Sequence, residues 1–218
     1  DLKSKFHFSA GQYITLRKEI NTEDVRRAYS ICSTPESGEV RVAIKAVEKG
    51  LFSTYATSEL KTGDTIEISA PEGRFLLNNE ANKNYIGFAA GSGITPILSM
   101  VKTVLSSELS SNFTLIYGNK SVADTIFYKE LNSLKETYSK RFKLHYIFSR
   151  EEVKNELKGR IDQNVTNYFV KNMYKETAFN AAFLCGPEEM IQQVSSTLEN
   201  AKIKKETIHF ELFTASLD

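Results

Sequence analysis

The sequence predicts two domains, a small antiparallel β-barrel followed by an α/β domain built on a parallel sheet. Three observations carry that expectation. Up to about residue 77, apolar and polar residues alternate in short stretches broken by Gly and Pro. From residue 84 onward, strand-like and helix-like patterns take turns. Between them, NNEANKN (78–84) is polar and without periodicity, so the boundary falls there. A chain of 218 residues can hold two domains of roughly 100 residues, each burying its own core.

In the first half, residues 1–78, the strands are read at GQYITLR, RRAYSIC, EVRVAIKAV, DTIEIS and RFLL. The exception is LFSTYATSEL (51–60), a short helix followed by the KTGD turn. In the second half, residues 84–213, the order is strand NYIGFAA, helix PILSMVKTVLSSEL, strand NFTLIYGN, helix IFYKELNSLKETY and strand FKLHYIFS. A helix over QNVTNYFVKNMY, strand AAFLCG, helix PEEMIQQVSSTLENA and strand TIHFELF complete it. Such alternation predicts helices on both faces of a parallel sheet and ligand sites at the carboxyl ends of its strands.

Composition narrows the partners. With 28 basic and 27 acidic residues the net charge is +1, which leaves no electrostatic footprint for nucleic acid or an anionic membrane. The apolar runs are too short to span a bilayer, and no charged-then-apolar leader opens the sequence. Cys32 and Cys185 are far apart with no C-x-x-C, so neither a disulfide framework nor a metal site is encoded, and the composition suits the cytoplasm. A small molecule or another protein is the expected partner. A sequence that opens on Asp1 reads as a piece of a longer protein.

Three motifs carry chemistry. GFAAGSGITP (87–96) sets a glycine pair at a strand's carboxyl end. It lacks the Lys-Ser/Thr of a nucleoside-triphosphate loop, and Pro96 stands where a dinucleotide fingerprint needs its third glycine. Two glycines in a tight strand-to-helix turn would look the same. Thr95 reads as a helix N-cap and Pro96 as the first helical residue, so free N–H groups and the positive dipole end would offer a site for a pyrophosphate. RRAYSICSTP (26–35) places Arg27 and Tyr29 on one strand face and Ser30 on the other; alone it is a barrel strand with a surface arginine. CGPEEM (185–190) again joins a strand end to a helix, although a buried cysteine is ordinarily a small hydrophobe.

Taken together, R-x-Y-S, G-x-G-x-T-P and C-G-P in this order resemble the ferredoxin–NADP reductase family of flavoproteins. Within it the sequence is most similar to the reductase components of phenylacetate-degradation and ring-hydroxylating oxygenase systems. AGQY (10–13), GLFSTY (50–55), APEGRF (70–75), YGNK (117–120), FSRE (148–151), GRID (159–162) and HFELF (209–213) extend the resemblance over essentially the whole chain.

The resemblance implies FAD and a nicotinamide dinucleotide as cofactors. Arg27 would bind the flavin phosphate, Tyr29 would pack on the flavin ring, and Ser30 would reach its redox-active nitrogen. Gly50, Leu51, Phe52 and Ser53 would hold the FAD pyrophosphate, which favours FAD over FMN. Gly91, Gly93 and Thr95 would cradle the dinucleotide, and Cys185 with Gly186 would flank the nicotinamide. Glu211 and Phe213 would complete the transfer site with Ser30 and Cys185, Phe213 covering the flavin face until the nicotinamide displaces it. Ser149 and Arg150, helped by Arg160 and Lys120, would take a 2′-phosphate, so NADPH is favoured over NADH although Glu151 adjoins the pair. Against this stands an ordinary amphipathic last strand, with Phe213 in the core and Glu211 in solvent.

The implied reaction is hydride transfer to the flavin and then single-electron transfer to an iron–sulfur domain or protein, with an oxygenase component as the further partner. The resemblance also implies one more strand before DLKSKFHFSAGQY and reads 214–218, TASLD, as the start of a linker to a ferredoxin domain with C-x4-C-x2-C spacing. Two other classes compete. A non-catalytic dinucleotide- or flavin-binding sensor or assembly subunit would keep GSGITP without needing Tyr29, Ser30 and Glu211 together. A hydrolase built on Cys185 lacks a base, since His145 and His209 lie in expected strands and His7 precedes the barrel.

Overall fold

The computed structural model describes residues 6–78, 80–107 and 110–213. The linker expected at 214–218 lies outside the described residues, as do Glu108 and Leu109 at the end of one expected helix.

Strands β1 (Tyr13–Ile20) and β2 (Glu23–Ser30) form an antiparallel hairpin running in register from Tyr13↔Ser30 to Ile20↔Glu23. Asn21 and Thr22 close it with φ of 50° and 68°, the two left-handed residues that a tight hairpin turn requires. Ile14, Leu16 and Val25 point inward with Ile31 and Phe52 to make this half's own core. β3 (Glu67–Ile68) adds to the other edge, giving the order β2-β1-β3.

Two expected strands are not ladders. EVRVAIKAV meets its neighbours at the single bridge Ile31↔Val42, and RFLL forms no strand, the nearest pairing being Tyr13↔Glu72. The alternation that suggested them holds in RFLL but not in EVRVAIKAV, where Val42, Ala43 and Ile44 are all partly buried. Val42 and Ile44 pack on the Ile14 cluster while Val40 and Val47 stay exposed, and Phe75 and Leu77 both turn inward. A period of two records which face a residue takes, not whether a hydrogen-bonding partner lies alongside. The helix at 51–60 is present as α1 (Leu51–Ser58).

The second half is a six-stranded parallel sheet. Its strands are β4 (Asn84–Ala90), β5 (Asn112–Asn119), β6 (Phe142–Phe148), β7 (Leu157–Lys158), β8 (Ala181–Gly186) and β9 (Ile208–Leu212), in the order β7-β6-β5-β4-β8-β9. Helices α2 (Ile94–Ser107), α3 (Tyr128–Thr137), α4 (Gln163–Asn167) and α5 (Glu188–Asn200) accompany the strands. One apolar cluster gathers Phe113, Leu115 and Tyr117 of β5, and a second gathers Ile86, Phe88 and Ile116. Burial on both sides is why β4, β5 and β8 read as continuous apolar runs. QNVTNYFVKNMY is not one helix: α4 gives way to a π-helical turn at Tyr168–Met173.

From β4 the chain steps outward through β5, β6 and β7, then returns to place β8 and β9 on the other side of β4. The connections therefore reverse direction between β4 and β8, and a crevice opens there at the strands' carboxyl ends. The two halves share a packed boundary. Ala10, Cys32, Phe75 and Leu77 belong to the same apolar cluster as Ile97, Met100 and Leu115, and the buried Ser99 hydroxyl donates to Ser33 O at 2.6 Å. Gly11, at φ +104°, lets the first half close up, since a Cβ there would lie 1.9 Å from Phe75 O.

Candidate active site

The chain leaves β4 through extended Ala90 and turns at once into a 3-10 turn at Gly91–Gly93, from which α2 continues. Thr95 is accordingly not the N-cap. It sits inside the helix, 3% exposed, and its hydroxyl donates back to Ser92 O at 3.0 Å. The glycines explain the shift, because they allow the turn to begin before the first capping side chain is reached. The N–H groups without intrahelical partners thus belong to the glycine turn itself.

Gly93 is where no side chain fits: a Cβ would stand 2.2 Å from Cys185 O and 2.6 Å from the Cys185 carbonyl carbon. The motifs GSG and CG, remote in sequence, are in backbone contact. Gly186 is similarly crowded, its missing Cβ falling 2.8 Å from Met190 Cε and 3.1 Å from Ala90 Cβ.

On β9, parallel register sets Glu211 beside Cys185 and Leu212 beside Gly186. Ser30, at the end of β2 and 5% exposed, donates its hydroxyl to Glu211 Oε2 at 3.4 Å. Burial pushes the Glu211 carboxyl up to about 7, with the Ser30 hydrogen bond pulling the other way. The ordinary reading of this strand fails at Glu211, although Phe213 packs on the core as that reading expects. Phe210 and Leu212 are 54% and 45% exposed, whereas Glu211 is the residue turned inward. Phe213 donates its N–H to Gly186 O at 3.4 Å, and its partly buried ring packs on the larger core at the rim of the crevice. The Cys185 thiol is fully buried and held well above the usual thiol range, first by desolvation and then by the Glu211 charge, which is the opposite of an activated nucleophile.

Arg27 and Tyr29 occupy the other face of β2, both partly buried. The Tyr29 ring packs on Phe52 with centroids 5.7 Å apart, which joins R-x-Y-S to GLFS. Gly50 enters α1 in an extended conformation, and Ser53 ties the entry together by accepting from Val47 N at 3.1 Å and donating to Gly50 O at 3.3 Å. Phe52 is 1% exposed and Leu51 packs on the same core, so these two offer backbone rather than side chain.

A crevice of ≈ 620 Å³ lies over the carboxyl ends of the sheet, bounded by Gly91, Gly118, Asn119, Ser149, Gly186 and Phe213 among others. Arg160 and Lys120 line it; Arg150 does not, being exposed beside it with its N–H bonded to Lys120 O at 2.9 Å. Glu151 is turned away, its carboxylate accepting from Val122 N at 2.7 Å. Lys45 reaches the crevice from the first half, a residue sequence reasoning missed because a lysine in an alternating stretch looks like any solvated one. A glycine cradle, unpaired turn N–H groups and three cations suit a dinucleotide with its phosphates. A guanidinium, a phenol plane and the α1 N-terminus likewise suit a flavin dinucleotide in the first half.

Residues 1–76 match the family described as oxidoreductase FAD-binding domain, and residues 88–196 the one described as oxidoreductase NAD-binding domain. One of the subunits of 1,2-phenylacetyl-CoA epoxidase from Escherichia coli is 38% identical over 215 residues, which are 97% of this chain and 60% of that protein. The ferredoxin reductase component of 3-ketosteroid-9-alpha-monooxygenase from Rhodococcus rhodochrous is 29% identical over 218 residues, 99% of this chain and 58% of that one. The chain thus spans about three fifths of the length of these relatives. Among solved structures, the FAD/NAD-binding domain of a nitric oxide dioxygenase from Vibrio cholerae shares the fold, with a TM-score of 0.78 at 24% identity over 94% of this chain and 85% of that one. The chain belongs to the ferredoxin reductase-like family of FAD- and NAD-binding oxidoreductases.

Proposed function

We propose that this chain takes hydride from NADPH onto FAD and passes single electrons to an iron–sulfur domain or protein, as the reductase part of a phenylacetate-type oxygenase system. The observation that carries the reading is the convergence of Ser30, Cys185 and Glu211, from three separate strands, on one point between the halves. When bound, the flavin supplies hydride acceptance and one-electron donation. Residues 1–78 hold it: Arg27 neutralises its phosphate, Tyr29 lies along its ring, and the N–H groups of Gly50 to Ser53 face its pyrophosphate.

Residues 84–213 hold the dinucleotide. Gly91 and Gly93 present the turn's N–H groups and Thr95 braces that turn, while Gly186 forms the wall with Cys185 behind it. Ser149 and Arg150, with Arg160 and Lys120, receive the 2′-phosphate, and Glu151, the acid that adjoins the pair, is turned away onto Val122 N. Ser30 and Glu211 hold a proton at the transfer site, and Phe213 screens the flavin from water until the nicotinamide enters. Two buried free thiols, Cys32 and Cys185, suit the reducing cytoplasm.

The names of the relatives support the oxygenase assignment. Its test is the visible spectrum of the protein with added FAD, followed by anaerobic bleaching with NADPH and separately NADH. Rapid bleaching, faster with NADPH, is the expected result. A bound flavin that neither coenzyme bleaches would leave a non-catalytic sensor in its place.

A further inference from the structure

We infer that Tyr117 is a positioning residue for dinucleotide binding, its hydroxyl holding the Gly91–Gly93 turn so that the turn's unpaired N–H groups face the nucleotide phosphates. The inference rests on the reading of that turn given under the proposed function.

The two ends of the turn are held in different ways. Gly93 is clamped by packing, with the Cys185 carbonyl where its Cβ would be. Gly91 has no such clamp: it sits at φ +54°, and a Cβ there would meet nothing within 4 Å. A glycine in open space is the freest residue the backbone can have, and besides the Ile94 N–H that its carbonyl accepts within the turn, its orientation calls for a tether from outside it. The Tyr117 hydroxyl supplies one, donating to Gly91 O at 2.9 Å. Among the described residues, the only other side chain bonded to the turn's backbone is Thr95, which takes Ser92 O.

Tyr117 is well placed for this. It lies on β5 opposite Ala89, the residue before the strand's end, and is fully buried, with its ring 6.2 Å from that of Tyr146. Its hydroxyl also lies 3.4 Å from Ile126 O, but a single proton serves the nearer carbonyl, Gly91 O. Burial holds the phenol above its usual range, so it stays a donor at any working pH. Every buried tyrosine hydroxyl needs a partner, and in the plain structural account Gly91 O is merely the one at hand.

Tyr117→Phe separates the two accounts, because it keeps the ring and removes only the tether. Tyr146→Phe is the control: its hydroxyl accepts from Asn132 Nδ2 at 3.2 Å and does not touch the turn. With FAD-loaded protein, NADP+ binding is measured by difference spectroscopy and amide hydrogen exchange is followed at residues 91–93. In Tyr117→Phe we expect NADP+ to bind about tenfold more weakly, the value of one hydrogen bond at the upper end of its usual range. Exchange at 91–93 should quicken and FAD affinity should not change, with neither effect in Tyr146→Phe. A Tyr117→Phe protein that melts lower yet keeps its NADP+ affinity and its exchange overturns the inference. Wild-type protein that binds FAD but no NADP+ would instead remove the proposed function, and the inference with it.

Discussion

Ser30 and Glu211 meet across the boundary between the two halves, hydroxyl to carboxylate at 3.4 Å, at the ends of strands that belong to different sheets. The contact depends on both halves keeping their relative position, which the shared core and the Ser99 to Ser33 bond enforce. Under the proposed function this is the point at which two separately held cofactors would be brought together and oriented.

Ser30→Ala should therefore slow NADPH-dependent bleaching of the flavin much more than it weakens FAD binding. Stopped-flow reduction and FAD titration on the same protein measure the two effects. Equal losses in both would remove Ser30 from the transfer site and make it a flavin ligand only.

Glu211 sets a pH dependence with a definite sign. Its carboxyl is raised from 4.5 to about 7 in the folded protein, so the native state binds its proton more tightly than the unfolded chain. The stability this confers is fully present below pH 4.5 and is lost as pH rises toward about 7. Glu211→Gln, fixed in the neutral form, should match wild type in thermal melts at pH 4 and melt higher than wild type at pH 8. In kinetics, an ionised Glu211 favours the positive charge that hydride loss develops beside it, so the reduction rate should rise through an inflection near pH 7. Glu211→Gln should lose that inflection, and Ser30→Ala should move it upward, because the bond that favours the carboxylate is gone. A flat profile in the wild type would refute the coupling.

The parallel sheet was legible almost residue by residue. NYIGFAA, NFTLIYGN and AAFLCG coincide with β4, β5 and β8, because double-sided burial leaves an apolar run whose ends are marked by polar or turn residues. Outside EVRVAIKAV, the first half was legible in its faces but not in its ladder. Thr95 followed by Pro96 carried a capping signature that the earlier glycine turn pre-empted. What sequence could not reveal was proximity. Lys45, Tyr117 and the Gly93 contact with Cys185 are chosen by how the halves and strands stack, and no local spacing encodes them.

Arg150 and Arg160 can be told apart as partners of the 2′-phosphate. Arg150 is pinned by its backbone next to Ser149 with its side chain exposed, whereas Arg160 already lines the crevice. If Arg150 swings onto the phosphate, Arg150→Ala should lower kcat/KM for NADPH roughly ten- to a hundredfold, the worth of a charged hydrogen bond, and leave NADH unaffected. The same coenzyme-selective loss in Arg160→Ala, with none in Arg150→Ala, would transfer the role to the residue inside the crevice.

The glycine turn offers a comparison in which backbone conformation and contact are separated. Gly91 is left-handed with space around it, so Gly91→Ala costs mainly the conformational penalty of about 1–2 kcal/mol. Gly93 has no left-handed φ, so its backbone admits alanine and the whole cost is the collision 2.2 Å from Cys185 O. That oxygen is backbone in β8 and cannot rotate aside, so relief requires the turn to lift off the strand. The expected destabilisation is about 1–3 kcal/mol or more, as for overpacking in a core. Gly93→Ala should accordingly melt lower than Gly91→Ala and should lose NADP+ binding while FAD titrates normally, since the turn and Cys185 part company on the dinucleotide side alone. Were Gly93→Ala to bind NADP+ as wild type does, backbone contact between the two motifs would have no part in shaping the crevice.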